Sequence, residues 1–176
     1  VIDSYGQLWM GCSNGMFVFD LYSRKENKFS YTHLKYKLDD PTSRLGEKIS
    51  CFHLSSDSVL WIGSNGNGFF KHIPGEDGSI GKFVGYNIQD GLVSNVVRGI
   101  LEDDKKRLWI STNNGLSCFD PSTDNFTNYT KEDGLVDNQF YWNAFSQSQT
   151  GLLYFGSVEG LTAIDPNRIN ERIISN

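Results

Sequence analysis

The sequence predicts an all-β protein made of about four β-propeller blades, each with four antiparallel strands. Three observations lead to this prediction. A phrase of the type Leu-Trp-Ile-Gly occurs four times, with its aromatic residue at positions 9, 61, 109 and 154. The copies are therefore separated by roughly 50 residues, and four short strands in each copy at that period are typical of propeller blades. No stretch shows sustained apolar spacing of 3.6 residues, which predicts little helix.

The repeated phrase is expected to form the second strand of each blade. Because neighbouring blades stack face to face, this strand is covered on both sides and its residues are apolar. Each tryptophan then buries a large surface, which stabilises the fold by about 2–3 kcal/mol. We therefore favour a structural role for these tryptophans over stacking on a sugar. A small residue two positions later leaves room for a bulky side chain of the adjacent blade, at Gly11, Gly63, Ser111 and Gly156.

A tight hairpin is expected after each phrase. An Asn-Gly pair between apolar alternating runs predicts a two-residue turn in which both central residues have positive φ. Such pairs occur at Asn14-Gly15, Asn65-Gly66 and Asn114-Gly115. A third strand follows each hairpin, and an outer strand with aromatic residues at alternate positions is predicted at 29–32, 83–86 and 126–130.

The connector between blades repeats as well. The segment 90–95, Asp-Gly-Leu-Val-Ser-Asn, recurs as Asp-Gly-Leu-Val-Asp-Asn at 133–138, and each leads into an apolar inner strand. The chain is thus predicted to be one partial propeller spanning residues 1–176. Its blades are expected at about 1–32, 49–87, 95–130 and 140–176.

The repeats also predict an incomplete propeller. Aligning Trp9 on Trp109 places Val1 at the end of an inner strand, and the residues after 167 lack the pattern of an outer strand. An open row of blades exposes apolar faces and unpaired strand edges, which promote association. We therefore expect the chain to self-associate.

Composition and charge narrow the classes of partner. The net charge of −5 at pH 7 argues against a nucleic-acid or anionic-membrane partner, since both need a basic surface. The basic cluster Lys105-Lys106-Arg107 is expected to be a solvated hairpin tip. Three cysteines lie on different predicted strands, and we expect them to be small buried residues rather than a disulfide framework or metal site: Cys12, Cys51 and Cys118.

The sequence carries no catalytic signature. His33, His53 and His72 are far apart and lack metal-ligand spacing. The glycine-rich segment 63–68 lies between two predicted strands and precedes no helix, which argues against a phosphate-binding loop. Turn formation accounts for the pair Asp103-Asp104. We therefore expect no enzymatic activity, no metal and no cofactor in this segment.

A candidate ligand site lies where the connectors enter the inner strands. These connectors gather at one end of the central channel in a propeller. Tyr141 and Trp142 are expected where the preceding copy has Val97 and Arg98. Flat aromatic rings beside Asn and Arg suit stacking and hydrogen bonding to a sugar, and packing against a neighbouring domain is the alternative. The candidate residues are Asn95, Arg98, Asn138, Tyr141 and Trp142.

The patterns Leu-Trp-Ile-Gly, Asn-Gly-Leu, Phe-Asp-Pro, Phe-x-x-Tyr and Asp-Gly-Leu-x-x-Asn together resemble the two-component-regulator propeller repeat. The segment 103–138 carries the whole pattern, and 134–166 resembles the closing blade of periplasmic sensors in hybrid two-component systems of gut Bacteroidetes. The resemblance implies a periplasmic segment of a homodimeric sensor that is anchored in the inner membrane. Such a sensor binds an oligosaccharide breakdown product and signals to a cytoplasmic histidine kinase.

Two other interpretations stay open at this point. In the first, the segment is a non-catalytic scaffold for dimerisation or interdomain packing. In the second, it is part of an enzyme with a propeller fold. The second is disfavoured because clustered His, Arg and carboxylate residues are missing.

Overall fold

The structure is a computed structural model that describes residues 1–25, 28–35, 48–76 and 79–169. A short 3-10 helix, Lys131–Asp133, lies in the last connector, and within the described ranges no helix is long and apolar enough to span a membrane. The strands are β1 (Gln7–Cys12), β2 (Gly15–Lys25), β3 (Lys28–Leu34), β4 (Ile49–Leu54), β5 (Leu60–Ser64), β6 (Phe69–Ile73), β7 (Lys82–Tyr86), β8 (Val97–Glu102), β9 (Leu108–Thr112), β10 (Leu116–Asp120), β11 (Asn125–Tyr129), β12 (Phe140–Gln147), β13 (Leu153–Ser157) and β14 (Leu161–Ile164).

These strands form four antiparallel sheets, each a meander of strands consecutive in the chain. Their orders are β1-β2-β3, β4-β5-β6-β7, β8-β9-β10-β11 and β12-β13-β14. In the first sheet Ile2 pairs with Leu8, so the residues before β1 occupy the position that an inner strand has in the second and third sheets. The predicted all-β fold of about four blades, with three strands in the first and fourth sheets, is confirmed. The last predicted blade extends over 170–176, which lie outside the described residues.

Three buried clusters join neighbouring sheets. One lies between the first and second sheets and includes Trp9 and Ile62. The next, around Phe69 and Phe119, joins the second and third sheets, and the last joins the third and fourth around Phe155. No buried hydrophobic cluster joins the first and fourth sheets within the part of the chain that the structure describes, so the sheets form an open row.

The structural role predicted for the tryptophans is confirmed. Trp9 packs on His72, with ring centres 4.7 Å apart, and Trp61 packs edge-to-face on Phe119 at 5.9 Å, each across the boundary to the next sheet. Trp109 is fully buried. As a result, β5 and β9 are buried along their whole length, whereas β14 alternates between exposed and buried residues.

The small residues after the tryptophans leave room for the next blade, as predicted. A Cβ atom on Gly63 would lie 2.7 Å from Cγ1 of Val97, which belongs to β8 of the following sheet. A Cβ atom on Gly11 would lie 2.8 Å from Cγ2 of Ile49 on β4. Close packing of adjacent blades therefore requires glycine at both positions.

The prediction that both residues of each Asn-Gly pair have positive φ is wrong. Gly15 and Gly115 have φ values of 95° and 120°, while neither preceding asparagine has positive φ. In the first hairpin Cys12 pairs with Gly15, so the loop lies one residue earlier than predicted. The glycine is required by the outer strand, because a Cβ atom on Gly15 would lie 2.0 Å from the carbonyl oxygen of Leu34.

The cysteines are free thiols, and they differ in burial. Cys51 and Cys118 are buried, and burial raises the pKa of each thiol to about 12. Cys12 is only half-buried, contrary to expectation, because it lies at the hairpin end of β1, where its S–H donates to the carbonyl of Gly15 at 3.3 Å.

Candidate functional site

Three inner strands carry an irregular segment near the connector that precedes them. In β8, Val97 pairs with Thr112 and Gly99 with Ser111, which leaves Arg98 as an extra residue. The same shift in β4 leaves Ser50 as the extra residue. Such β-bulges redirect side chains and are frequent beside binding sites. We call these segments the inner-strand bulges.

The bulge of β12 is longer than the other two. Phe140 pairs with Ser157, and regular pairing resumes only at Phe145 with Phe155. The four residues 141–144 lie opposite Gly156 alone, so the bulge has three extra residues, and Asn143 has a positive φ of 53°. The three extra residues push the two aromatic side chains outward, where Tyr141 is 55% and Trp142 43% exposed.

This register corrects the sequence alignment of the inner strands. Phe140, rather than Tyr141, takes the place of Val97, because each pairs with the last residue of the following second strand. The predicted correspondence of Tyr141-Trp142 with Val97-Arg98 is therefore wrong by one residue. The repeated connectors already indicate the observed register, because Asp90 and Asp133 are 43 residues apart, as are Val97 and Phe140. The two additional residues in the bulge of β12 follow Phe140 and lengthen the interval to 45 residues between Trp109 and Tyr154.

The structure brings Arg98 and Trp142 together. The guanidinium carbon of Arg98 lies 4.1 Å from the centre of the Trp142 ring, so the two bulges meet through a cation–π contact. Such contacts are worth about 0.5–2 kcal/mol. Tyr141 lies beside Trp142 in the chain and is exposed, which gives this end of the inner strands two accessible aromatic rings.

Two guanidinium nitrogens of Arg98 have no hydrogen-bond partner. Nε and Nη1 are both buried, and no acceptor for them lies within the described residues. Burial lowers the pKa of this guanidinium, although an arginine remains charged at neutral pH. A buried donor without a partner costs about 1–3 kcal/mol, and a ligand oxygen that accepts from Arg98 would remove this cost.

Asn95 and Asn138 play a different, structural part. Their side-chain Oδ1 atoms accept from the backbone N–H of Ile88 at 2.9 Å and of Lys131 at 2.7 Å, which closes each connector on itself. The backbone carbonyl of Asn138 also accepts from Gly115 of the preceding hairpin. Their proposed contact with a ligand stays a prediction.

Sequence reasoning missed a cleft at the opposite end of the inner strands. It lies between the second and third sheets, beside the turns that lead into β5 and β9, and has a volume of about 550 Å³. At the same place between the first and second sheets the cavity measures about 50 Å³. Its lining residues include Ser55, Asp57, Trp61, Lys71, Lys105, Lys106 and Asp120.

The turn beside this cleft corrects one further expectation, that for Arg107. Asp103 shapes its turn, as predicted, but its Oδ2 atom also accepts from Nε1 of Trp109 at 2.9 Å. Arg107 is not part of a solvated tip, because it forms a 2.8 Å ion pair with Asp103 and donates to the carbonyl of Pro166. Lys105 and Lys106 are exposed, as predicted. Within the described residues, no group of three or more His, Cys, Asp or Glu side chains could hold a metal ion.

Comparison with known proteins gives a family match and one curated relative. Residues 91–114 match the family described as "Two component regulator propeller". The chain is 30% identical over 170 residues to "Histidine kinase P4" of Formosa agariphila. This alignment covers 96% of the chain but only 12% of the relative, so the chain spans a small part of that protein.

Solved structures share the fold. The extracellular domain of BT3049 from B. thetaiotaomicron, described as a hybrid two component system, is 23% identical with a TM-score of 0.52; the match covers 97% of this chain and 28% of that one. PorZ, a surface component of the type-IX secretion system of Porphyromonas gingivalis, is 18% identical with a TM-score of 0.65 (92% and 24% covered). Virginiamycin B lyase from Staphylococcus aureus is 16% identical with a TM-score of 0.59 (96% and 55% covered).

Proposed function

We propose that this chain, which carries the two-component regulator propeller repeat, is a non-catalytic part of the sensing region of a hybrid two-component sensor. The proposal places the segment in the periplasm, in a homodimeric parent anchored in the inner membrane. There it binds a carbohydrate breakdown product and signals to a cytoplasmic histidine kinase. The family match and the resemblance to a histidine kinase over 96% of the chain support the proposal.

The contact between Arg98 and Trp142 is the observation that carries the ligand site. The exposed ring of Trp142 offers an apolar face to a sugar ring, and Arg98 offers buried N–H donors that lack acceptors in the protein. Flat aromatic surfaces combined with a few fixed polar groups are typical of small-ligand sites. An oligosaccharide satisfies both features when it stacks on the ring and the Arg98 side chain turns outward, so that its buried N–H groups reach the sugar hydroxyls.

Calorimetric titration with a panel of neutral and acidic oligosaccharides tests this site. We expect Trp142→Ala and Arg98→Ala each to weaken the binding of the recognised saccharide at least about tenfold, or about 1.4 kcal/mol. Tyr22→Ala removes an exposed aromatic side chain on β2 and serves as the matched control, with unchanged affinity. Equal affinity of the wild type and both site variants, all folded by thermal melting, would contradict the proposed site.

A scaffold role is the second candidate, favoured by the uncovered face of the fourth sheet. On β14, Leu161 is 58% exposed while Thr162 and Ile164 are buried against the third sheet. On the first sheet Met10 is also exposed. Uncovered apolar faces of this kind mark interfaces, and we propose that two copies associate through them.

Light scattering after size exclusion tests this association. We expect a dimer or larger assembly that Leu161→Glu dissociates, because a buried carboxylate at an apolar interface is unfavourable. Lys82→Glu, on an exposed position of β7 in the second sheet, serves as the charge control. A monomer that persists at high protein concentration would contradict the scaffold role without affecting the ligand site.

A further inference from the structure

The cleft between the second and third sheets lies where the second blade differs from the first and third in one residue of the repeat. The residue that begins the turn before each second strand is Asp3, Ser55 or Asp103 in the first three blades. In the first blade Asp3 accepts from Nε1 of Trp9 at 2.7 Å, and in the third Asp103 accepts from Trp109 at 2.9 Å. A carboxylate thus caps the indole N–H in two blades.

In the second blade this carboxylate is missing. The Ser55 hydroxyl donates to Oδ1 of Asp57 at 2.6 Å and accepts from the backbone N–H of Val59 at 3.1 Å, so it is engaged within its own turn. Trp61 lines the cleft. Across the described residues, no protein acceptor is within hydrogen-bonding distance of its indole N–H. The cleft therefore holds a tryptophan donor at the place where the first and third blades supply a carboxylate.

The cleft also holds three lysines that form no direct ion pair. Nζ of Lys71 lies 5.7 Å from the centre of the Trp61 ring. Lys105 and Lys106 line the opposite wall, and none of these three lysines forms an ion pair in the described ranges. Small anions are attracted to such a cluster of cations in a concave site.

Three carboxylates line the cleft as well, and each is held by hydrogen bonds. That of Asp57 accepts from the Ser55 hydroxyl at 2.6 Å, and this bond, together with the charge of Lys106, lowers the pKa of Asp57. The carboxylate of Glu102 accepts from the backbone N–H and the hydroxyl of Ser56 at 2.7 and 3.0 Å. That of Asp120 accepts from the backbone N–H and the hydroxyl of Ser122. These hydrogen bonds hold the carboxylates in place, and none of them forms an ion pair with Lys71, Lys105 or Lys106 within the described residues, so the ammonium groups can contact a ligand.

We propose that this cleft binds a small organic carboxylate, whose carboxyl group occupies, relative to Trp61, the place that Asp3 and Asp103 occupy in their blades. The carboxylate accepts from Nε1 of Trp61, and the lysines attract and hold its charge. The apolar walls formed by Val59, Leu108 and Pro121 pack against the rest of the ligand. A volume of about 550 Å³ lies within the range of small-molecule sites. This site is distinct from the inner-strand bulges and does not depend on the function proposed above.

Glucuronate is the probe, with glucose as its neutral counterpart and inorganic sulfate as the non-carboxylate anion. We expect glucuronate to bind in calorimetry and to shift the indole ¹⁵N–¹H resonance of Trp61, which a Trp61→Phe variant assigns. Glucose should have no effect. Sulfate that binds as tightly as glucuronate would overturn the carboxylate assignment.

Ser55→Asp restores the repeat and is the decisive variant. It is combined with Asp57→Asn, because the Ser55 hydroxyl lies 2.6 Å from the Asp57 carboxylate and two carboxylates there would repel each other. The new side chain then caps Trp61 as Asp103 caps Trp109, so we expect a stable fold and a glucuronate affinity at least about tenfold lower than that of Asp57→Asn alone. Lys106→Gly should weaken binding without loss of stability, whereas Ser58→Gly, at the equivalent turn position of the second blade, should leave the affinity unchanged. Absence of glucuronate binding to the wild type, or binding to Asp57→Asn that the added Ser55→Asp does not reduce, would overturn the proposal. Loss of oligosaccharide binding at Trp142 has no bearing on these results.

Discussion

The second strands and the inner-strand bulges of this molecule differ in how much their residues vary between blades. β5 and β9 have the same Leu-Trp-Ile core and are buried along their whole length. The bulges, in contrast, hold Ser50 in one blade, Arg98 in the next, and three residues beginning at Tyr141 in the last. Packing between blades restricts the second strand on both faces, while the bulge lies near one end of the inner strand and is free to differ.

Replacing a tryptophan by alanine in each of the two regions should give the largest difference in the free energy of unfolding. Trp109→Ala removes a fully buried ring and a donor to Asp103, so we expect a loss of about 3–5 kcal/mol in the free energy of unfolding. Trp142→Ala removes a half-exposed ring and should cost less than about 1 kcal/mol. Urea denaturation of both variants measures the difference. Equal losses would show that the bulge is part of the packing core.

A smaller difference in stability is expected when two glycines of the second strands are each replaced by alanine. A Cβ atom on Gly63 would lie 2.5 Å from Sγ of Cys51 and 2.7 Å from Val97 of the next sheet. Gly63→Ala should therefore destabilise the protein by about 1–3 kcal/mol. Gly156→Ala should cost less, because its Cβ would meet only Ala144 of the same sheet, at 3.0 Å. A larger loss for Gly156→Ala in the same denaturation experiment would contradict the account of blade packing.

The turn before each second strand repeats in backbone conformation rather than in residue type. Gly6, Ser58, Lys106 and Gly151 all have positive φ at the same turn position. For Lys106, with φ of 63°, glycine removes a cost of about 1 kcal/mol, so Lys106→Gly should stabilise the protein by about that amount. Lys105→Gly, one residue earlier, should instead destabilise it slightly. Melting temperatures that change in the same direction would contradict this assignment.

Stability should also decline in mild acid, with a smaller effect. Burial lowers the pKa of His72 and His53 below the ordinary value of 6.5, although Glu102 opposes this for His53. The unfolded chain then binds more protons than the folded one, so stability is lost as pH falls through 6.5. His72→Phe, which copies Phe119 of the next blade, should reduce this pH dependence in denaturation curves recorded on both sides of pH 6.5. An unchanged slope would show that His72 does not contribute.

The repeat allowed much of the fold to be predicted from sequence. Tryptophan spacing and the glycines near it identify the second strands, because both residue types are fixed by contacts that recur in each blade. The longer bulge of β12 also had a signal in the sequence, because the interval from connector to second strand grows from 19 residues (Asp90 to Trp109) to 21 (Asp133 to Tyr154). The spacing does not indicate which side chains the bulge turns outward, since that depends on the register of a single strand. The contact of Arg98 with Trp142 depends on that register. The cleft beside Trp61 had a visible signal, the serine at position 55 where two other blades have aspartate.

The most direct test of the central claim, that the bulges form the ligand site, is chemical-shift mapping with the saccharide that binds most tightly. We expect the Nε–H resonance of Arg98 and the indole resonance of Trp142 to shift together when the saccharide is added, along with the backbone amides of the bulges. Shifts confined to the outer strands β7 and β11, with these two resonances unmoved, would contradict it.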